Sequence, residues 1–263
     1  MARHNFRLPL RLVLGAGLFI EVVLTVVLPI QVQAQLAPVT SHNTLSRRSV
    51  VRVTFEPPGD EKPKDTAGGA SRDTGRCPQD TTALATSVTP LMPATRQGLT
   101  VAEHPTFFVY VPQTSAQKAL FVLKDDKEDY YYQKIVSIPR MAGIVSFKLP
   151  ADAPAIEIGK SYKWSFVMIC GEGIRPDSPT VEGRIERIAP NPTLSKQLNT
   201  LLPLERAAMY GKDGIWYDTL TTLAQLKRSQ PNDVTLAANW QELLTSVGLE
   251  AIATKPLLNL DPS

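Results

Sequence analysis

The chain has 263 residues, with 28 Lys and Arg against 25 Asp and Glu, three histidines and two cysteines. A formal charge of +3 is too small to argue for nucleic acid or an anionic membrane as partner. The length suits one large domain or two smaller ones, and so few histidines and cysteines leave little material for a metal centre or an activated nucleophile.

Residues 1–34 have the form of an export signal. Arg3, Arg7 and Arg11 give a positive start, residues 12–30 are apolar apart from Glu21, and Val32-Gln33-Ala34 makes an A-x-A-like cleavage site before Gln35. The apolar run approaches the ~20 residues of a membrane span, but Glu21 at its middle and the cleavage site favour a removed leader over an anchor. Removal takes away three Arg and one Glu and leaves 25 basic against 24 acidic residues, so the mature chain is near neutral. The expected location is the periplasm or the extracellular space, with no stable membrane span after cleavage. The alternative is anchoring by an uncleaved N-terminal segment.

Residues 35–48 are polar and without period, which predicts a disordered lead-in. "SVVRVTFEP" is β-branched and reads as a strand closed by Pro57-Pro58-Gly59. Residues 57–80 are charged, Gly-rich and almost free of large apolar groups, so they predict a long flexible loop. Arg72 and Arg76 on this loop are candidate ligand contacts, set against the plainer reading of a solvated linker.

From there to residue 189 the pattern is strand and turn. "TALATSV", "TFFVYVP", "KALFVLK", "YYYQKIVSI", "GIVSFKLP", "SYKWSFVMIC" and "VEGRIERI" are short β-rich runs punctuated by Pro, Gly, Asp or Asn. Phe107, Val109 and Val111 share one face, as do Tyr162, Trp164, Phe166 and Met168. With no helical segment between them, these runs predict an immunoglobulin-like antiparallel β-sandwich over 49–189. "EIGKSYKWSF" resembles the corner of such domains, where a Gly turn leads into a buried Tyr-x-Trp strand.

Cys170 ends that strand and Cys77 lies in the loop. Outside the cytoplasm two cysteines favour a disulfide between them, ahead of free thiols, a metal site or a nucleophile. Closing roughly 90 residues would destabilise the unfolded chain by about 4.5 kcal/mol.

At Pro190-Asn191-Pro192 the pattern turns helical. "TLSKQLNTLL" has Leu194, Leu198, Leu201 and Leu202 at helical spacing, with Thr193 as expected N-cap. Pro203 starts the next helix, and a third carries Ile215, Trp216, Leu220, Leu223 and Leu226. Asp233 caps a fourth, with Leu236, Trp240, Leu243, Leu244 and Val247 on one side. Ala207, Tyr210, Thr219, Leu223, Leu226 and Pro231 lie near the spacing of one degenerate tetratricopeptide repeat. The expected second region is therefore a tetratricopeptide-like bundle of three to four helices over 190–256, with 257–263 as a tail. The fold class is α+β, mainly β. A lone repeat is expected to pack on the sandwich, because solenoids need at least three.

Chemistry-bearing motifs are sparse. There is no G-x-S-x-G elbow, and His104, before Pro105, reads as a rim residue and not a base. Gly159-Lys160-Ser161 lacks the glycine and the following helix of a phosphate loop. Asp125, Asp126, Glu128 and Asp129 are a weak calcium candidate, and a polar hairpin tip is the favoured reading. Tyr130, Tyr131 and Tyr132 are a speculative carbohydrate platform, set against a strand alternating between core and surface. No catalytic residue and no cofactor are assigned. The functional expectation is a non-catalytic module binding a protein, peptide or cell-envelope glycan. The alternative is an extracellular hydrolase using paired carboxylates among Glu103, Glu157, Glu172 and Glu182.

From about residue 50 to 256 the chain resembles a family known mainly from cyanobacteria, the domain of unknown function numbered 928. The resemblance rests on "FEPPGDEKPKDTAGGASR", Cys77-Pro78, "TPLMP", "LTVAEHPTFFVYVP", "YKWSFVMIC", "YGKDGIWYDTLTTLAQL" and "WQELLTSVGL", in that order. It implies an exported, cyanobacterial context and brings no activity with it.

Overall fold

Six of the seven β-rich runs form strands where alternation predicts them. The computed structural model describes residues 51–58, 76–80, 86–258 and 260. The expected leader, the lead-in and residues 59–75, Arg72 among them, lie outside the described residues.

The strands are β1 (Thr89–Pro90), β2 (Gln97–Thr100), β3 (Thr106–Val111), β4 (Lys118–Lys124), β5 (Tyr130–Ser137), β6 (Gly143–Lys148), β7 (Ser161–Ile169), β8 (Thr180–Arg187) and β9 (Leu257–Leu258). They form a four-stranded sheet, β1-β3-β6-β9, and a five-stranded sheet, β2-β8-β7-β4-β5. The helices are α1 (Pro192–Leu198), α2 (Pro203–Lys212), α3 (Trp216–Ser229) and α4 (Val234–Ser246). The architecture is α+β and mainly β.

The sheets face each other through aromatic side chains. Phe107 of β3 packs on Phe121 of β4 at 4.8 Å and on Trp164 of β7 at 5.5 Å, and Phe121 packs on Phe147 of β6 at 4.4 Å between ring centroids. Tyr162, Trp164, Phe166 and Met168 all point into this core, as their period of two requires. The predicted corner forms as well: after Gly159 at φ +76°, the Glu157 N–H donates to the Tyr162 hydroxyl at 3.1 Å.

The sheets are mixed where a purely antiparallel sandwich was expected. β2 runs parallel to β8, and β9 runs parallel to β6. Both pairs join segments far apart in sequence, so no tight hairpin dictates their direction. The run 82–88 was expected as a strand. Residues 82–85 of it lie outside the described set, 86–88 are irregular, and pairing begins only at Thr89.

Residues 51–58 also depart from expectation. They form no strand, although Val53 is fully buried. The segment is an extended strap on the helices: the Val53 N–H donates to Asn239 Oδ1 at 2.7 Å, and the Glu56 N–H donates to the Gly211 carbonyl at 3.0 Å. A side chain at Gly211 would run into the carbonyl oxygen of Thr54. The β-branched composition reports an extended backbone without naming its partner.

Helices and sheets share one continuous core within a compact unit spanning Ser49–Ser263, so residue 190 marks a change of element and not a gap in packing. β3 shows this best, because all six of its residues are buried. Its Phe107 face meets the other sheet. On its Phe108 face lies Ser146 of β6, and the Ser146 hydroxyl accepts from Arg228 of α3 at 2.9 Å. Arg228 also donates to the Leu258 carbonyl at 3.2 Å, holding β9 in place.

The start of α3 fills the seam. The Trp216 indole N–H donates to the Leu91 carbonyl at 2.9 Å, and its ring meets Phe55 edge-on at 4.9 Å. The Trp164 indole N–H donates to the Tyr217 hydroxyl at 2.6 Å, which in turn donates to the Arg184 carbonyl at 3.0 Å. Two glycines make room. A Cβ on Gly98 would lie 2.8 Å from the Tyr217 ring, and one on Gly183 would lie 2.7 Å from the Trp164 indole.

Capping differs in one place. α1 is capped by Asn191, whose Oδ1 accepts from the Leu194 N–H at 2.8 Å, with Pro192 in the first turn. Thr193 is already inside the helix, and α1 stops before Leu201 and Leu202. Asp233 caps α4 as predicted, accepting from Thr235 at 2.7 Å and Leu236 at 3.1 Å.

Candidate functional site

Cys77 and Cys170 form a disulfide, with Cα atoms 5.5 Å apart and a sequence separation of 93. The bond anchors the segment around Cys77 to the residue that follows β7. Beside it lies a carboxylate that sequence reasoning missed. Asp80 Oδ2 accepts from the Cys77 N–H at 3.0 Å and the Thr114 hydroxyl at 2.8 Å. Its Oδ1 accepts from the Ser115 N–H at 2.7 Å and the Ser115 hydroxyl at 2.8 Å. Burial alone would raise the pKa of this carboxyl, but the four donors outweigh it and hold the group below its ordinary value. Arg76 is half-buried next to this knot.

The tyrosine run does not form a platform. Between Leu123 and Lys124 the register shifts, so that Tyr130 faces Lys124, Tyr132 faces Leu123, and Tyr131 is the extra residue of a bulge. A bulge breaks strict alternation. Tyr131 and Tyr132 therefore both turn toward the core: one packs on Tyr162 at 4.9 Å, the other stacks over Phe147 at 6.3 Å. The Tyr131 hydroxyl donates to the Ala155 carbonyl at 2.7 Å, and burial, with the neighbouring Tyr162, pushes its pKa up to about 12. Tyr130 alone stays on the surface, with the Lys124 ammonium 5.0 Å from its ring centroid.

The acidic tip before it is a turn. Asp125 Oδ1 accepts from the N–H groups of Lys127 and Asp129, both at 2.9 Å, and Glu128 adopts φ +64°. Glu128 also meets Lys124 at 3.5 Å. Among the described residues no three His, Cys, Asp or Glu side chains come together as metal ligands would, Asp125, Asp126, Glu128 and Asp129 included.

Three of the four carboxylates considered for hydrolysis are paired with cations. Glu103 meets Arg187 at 3.0 Å, Glu157 meets Lys160 at 2.9 Å, and Glu182 meets Lys163 at 3.2 Å, while Glu172 is exposed in the turn after β7. Lys160 is thus a turn residue ahead of β7, in keeping with a failed phosphate-loop motif.

The most distinctive polar cavity lies at the junction of strands and helices. It measures about 180 Å³ and is built by the β2–β3 connection, the ends of β3 and β6, α2 and α3. Asp218, in the first turn of α3, is its fixed point. Asp218 Oδ2 accepts from the Thr100 hydroxyl at 2.6 Å and the Val101 N–H at 3.1 Å. Desolvation raises the pKa of this carboxyl against the pull of those donors. Arg206 and Tyr210 of α2, Lys148 of β6, and Thr221 and Gln225 of α3 complete the wall. His104 lies there too. Its Nε2 donates to the Ala153 carbonyl at 3.1 Å, which fixes the tautomer and makes it a wall residue. The Tyr210 hydroxyl feels burial first, then the Asp218 and Arg206 charges in opposite directions, with a net rise in pKa. Sequence reasoning found His104 but missed the rest. The available signal was the polar stripe Asp218, Thr221, Thr222 and Gln225, which opposes Leu220 and Leu223 on one helix.

Among the described residues no helix is long and apolar enough to cross a membrane. No curated relative matches the chain. The family model described as Domain of Unknown Function (DUF928) matches residues 67–257, from the loop before Cys77 through all four helices to β9, and the chain belongs to that family.

Proposed function

We propose that this protein is an exported, non-catalytic interaction module that binds a protein, peptide or envelope glycan outside the cytoplasm. One observation carries the interaction reading. On the five-stranded sheet, the face turned away from the core bears an apolar row across three strands: Ile135 of β5 pairs with Leu120 of β4, and Leu120 pairs with Val167 of β7. Ile135 is 53 % exposed, and Leu120 and Val167 are half-buried. Apolar groups aligned in register on an outer sheet face are suited to contact. The leader-like first 34 residues and the disulfide agree with an oxidising compartment. The helix pair resembling a tetratricopeptide repeat serves as a wall of the core in this reading, with Ala207, Thr219 and Leu223 fully buried. A hydrolase draws less support, since Glu103, Glu157 and Glu182 sit in exposed ion pairs.

The test joins fractionation to cross-linking. The mature chain should start at Gln35 in the exported fraction. A defined cross-linked species should form with wild type and vanish with Ile135→Glu or Leu120→Lys. A cytosolic chain with an intact N-terminus, or cross-links indifferent to both substitutions, would refute the reading.

A further inference from the structure

Arg206 presents a problem the fold does not solve. Its guanidinium makes no hydrogen bond or ion pair among the described residues, and its Nε is shut away from solvent without an acceptor. Arg206 as a whole is half-buried, so the unmatched donor is this one N–H, and a buried donor without an acceptor is costly. In the same cavity Asp218 has the converse need. Its Oδ2 takes both the Thr100 and Val101 donors, no side chain among the described residues donates to Oδ1, and desolvation disfavours its charge. The Tyr210 and Thr221 hydroxyls also line the cavity without a side-chain hydrogen bond to the described residues, and the exposed Lys148 and Gln225 reach its rim. One wall thus offers unmatched donors with positive charge, and the other a carboxylate open on one side.

We propose that this junction cavity is a binding site for a small carboxylic acid carrying an amino or hydroxyl group on the adjacent carbon, its carboxylate held by Arg206 and Lys148 and its donor group by Asp218. A plain anion would meet repulsion from Asp218, and a plain amine would leave Arg206 unmatched. A ligand with both ends answers both walls. The volume of about 180 Å³ leaves room for a molecule of amino-acid size. Guanidinium–carboxylate pairing is the strong, directional contact here. The site lies at the seam with the helices, apart from the outer sheet face argued above, so neither proposal depends on the other.

The probes are alanine, lactate, propionate and alaninol, titrated into the purified protein by calorimetry or by NMR shifts. Alanine or lactate should bind with Kd of about 1 mM or tighter, and propionate and alaninol about tenfold more weakly or worse. Which of the first two binds tells whether the donor is ammonium or hydroxyl. Arg206→Met should weaken that binding by about tenfold or more without lowering the thermal unfolding temperature, since the guanidinium makes no hydrogen bond in the fold. Asp218→Asn should narrow the gap between alanine and propionate. The proposal is overturned if none of the four binds at about 10 mM, if all bind alike, or if Arg206→Met leaves binding intact.

Discussion

Two places hold the molecule together across long sequence distance, and they do so differently. At one end of β7 the chain is closed by a covalent link between Cys77 and Cys170, with Asp80 tying the loop backbone to Thr114 and Ser115. In the middle of the same strand Trp164 is closed over by Tyr217 from a helix, through rings, one short hydrogen bond and the space left by Gly98 and Gly183. The first device works mainly by limiting the unfolded chain, the second by what the folded chain gains. A single strand thus carries a thermodynamic contribution of each kind.

The sharpest way to separate them is to remove each in turn. Replacing both cysteines by Ser should lower stability by about 4.5 kcal/mol and raise the denaturant m-value, because the released unfolded chain exposes more surface. Tyr217→Phe should cost about 2 kcal/mol with m unchanged, since it strips the acceptor from the Trp164 indole and the donor from the Arg184 carbonyl. Equal m-values in the two experiments would erase the distinction drawn here.

Smaller effects come from two carboxyls shifted in opposite directions. Asp80 has a depressed folded pKa, so its contribution is present above the ordinary Asp value and is lost as pH falls through the folded one. Asp80→Asn should cost about 1.5 kcal/mol at neutral pH, with the difference from wild type fading in acid. Asp218 has a raised folded pKa, so its ionised form penalises the fold at neutral pH, and that penalty disappears as pH falls toward the ordinary value. Asp218→Asn keeps an oxygen for the Thr100 and Val101 donors. It should be neutral or stabilising by less than about 1 kcal/mol at pH 7, with no advantage in acid. Arg206 and Tyr210 of α2, Lys148 of β6 and His104 share this cavity, so the comparison is best read as variant minus wild type across pH. Denaturation series at several pH values check both, and matching signs would contradict the assignment.

How much of this could be read beforehand follows from what each segment depends on. β3 to β8 announce themselves because their side chains alternate and their ends carry turn residues. β2, with the sequence QGLT, carries no such pattern. It exists because β8 offers it an edge and because Gly98 lets Tyr217 approach. β9 is two leucines placed by Arg228 and the preceding helices. Residues 51–58 have strand composition but receive helix partners. The tyrosine run misled in another way, since a one-residue bulge turns neighbours toward the same side. The disulfide was legible from the cysteine count and the leader-like start of the sequence. The junction cavity was not, because Arg206, Lys148 and Asp218 come from three elements and become neighbours only after the sheets and helices pack.

The parallel placement of β9 beside β6 has a further consequence for biogenesis. The smaller sheet lacks its outer member until translation has passed Leu258, after every other element of the core. Until that segment emerges, Ile144 and Val145 of β6 have no partner on their outer side, and the smaller sheet keeps an open edge.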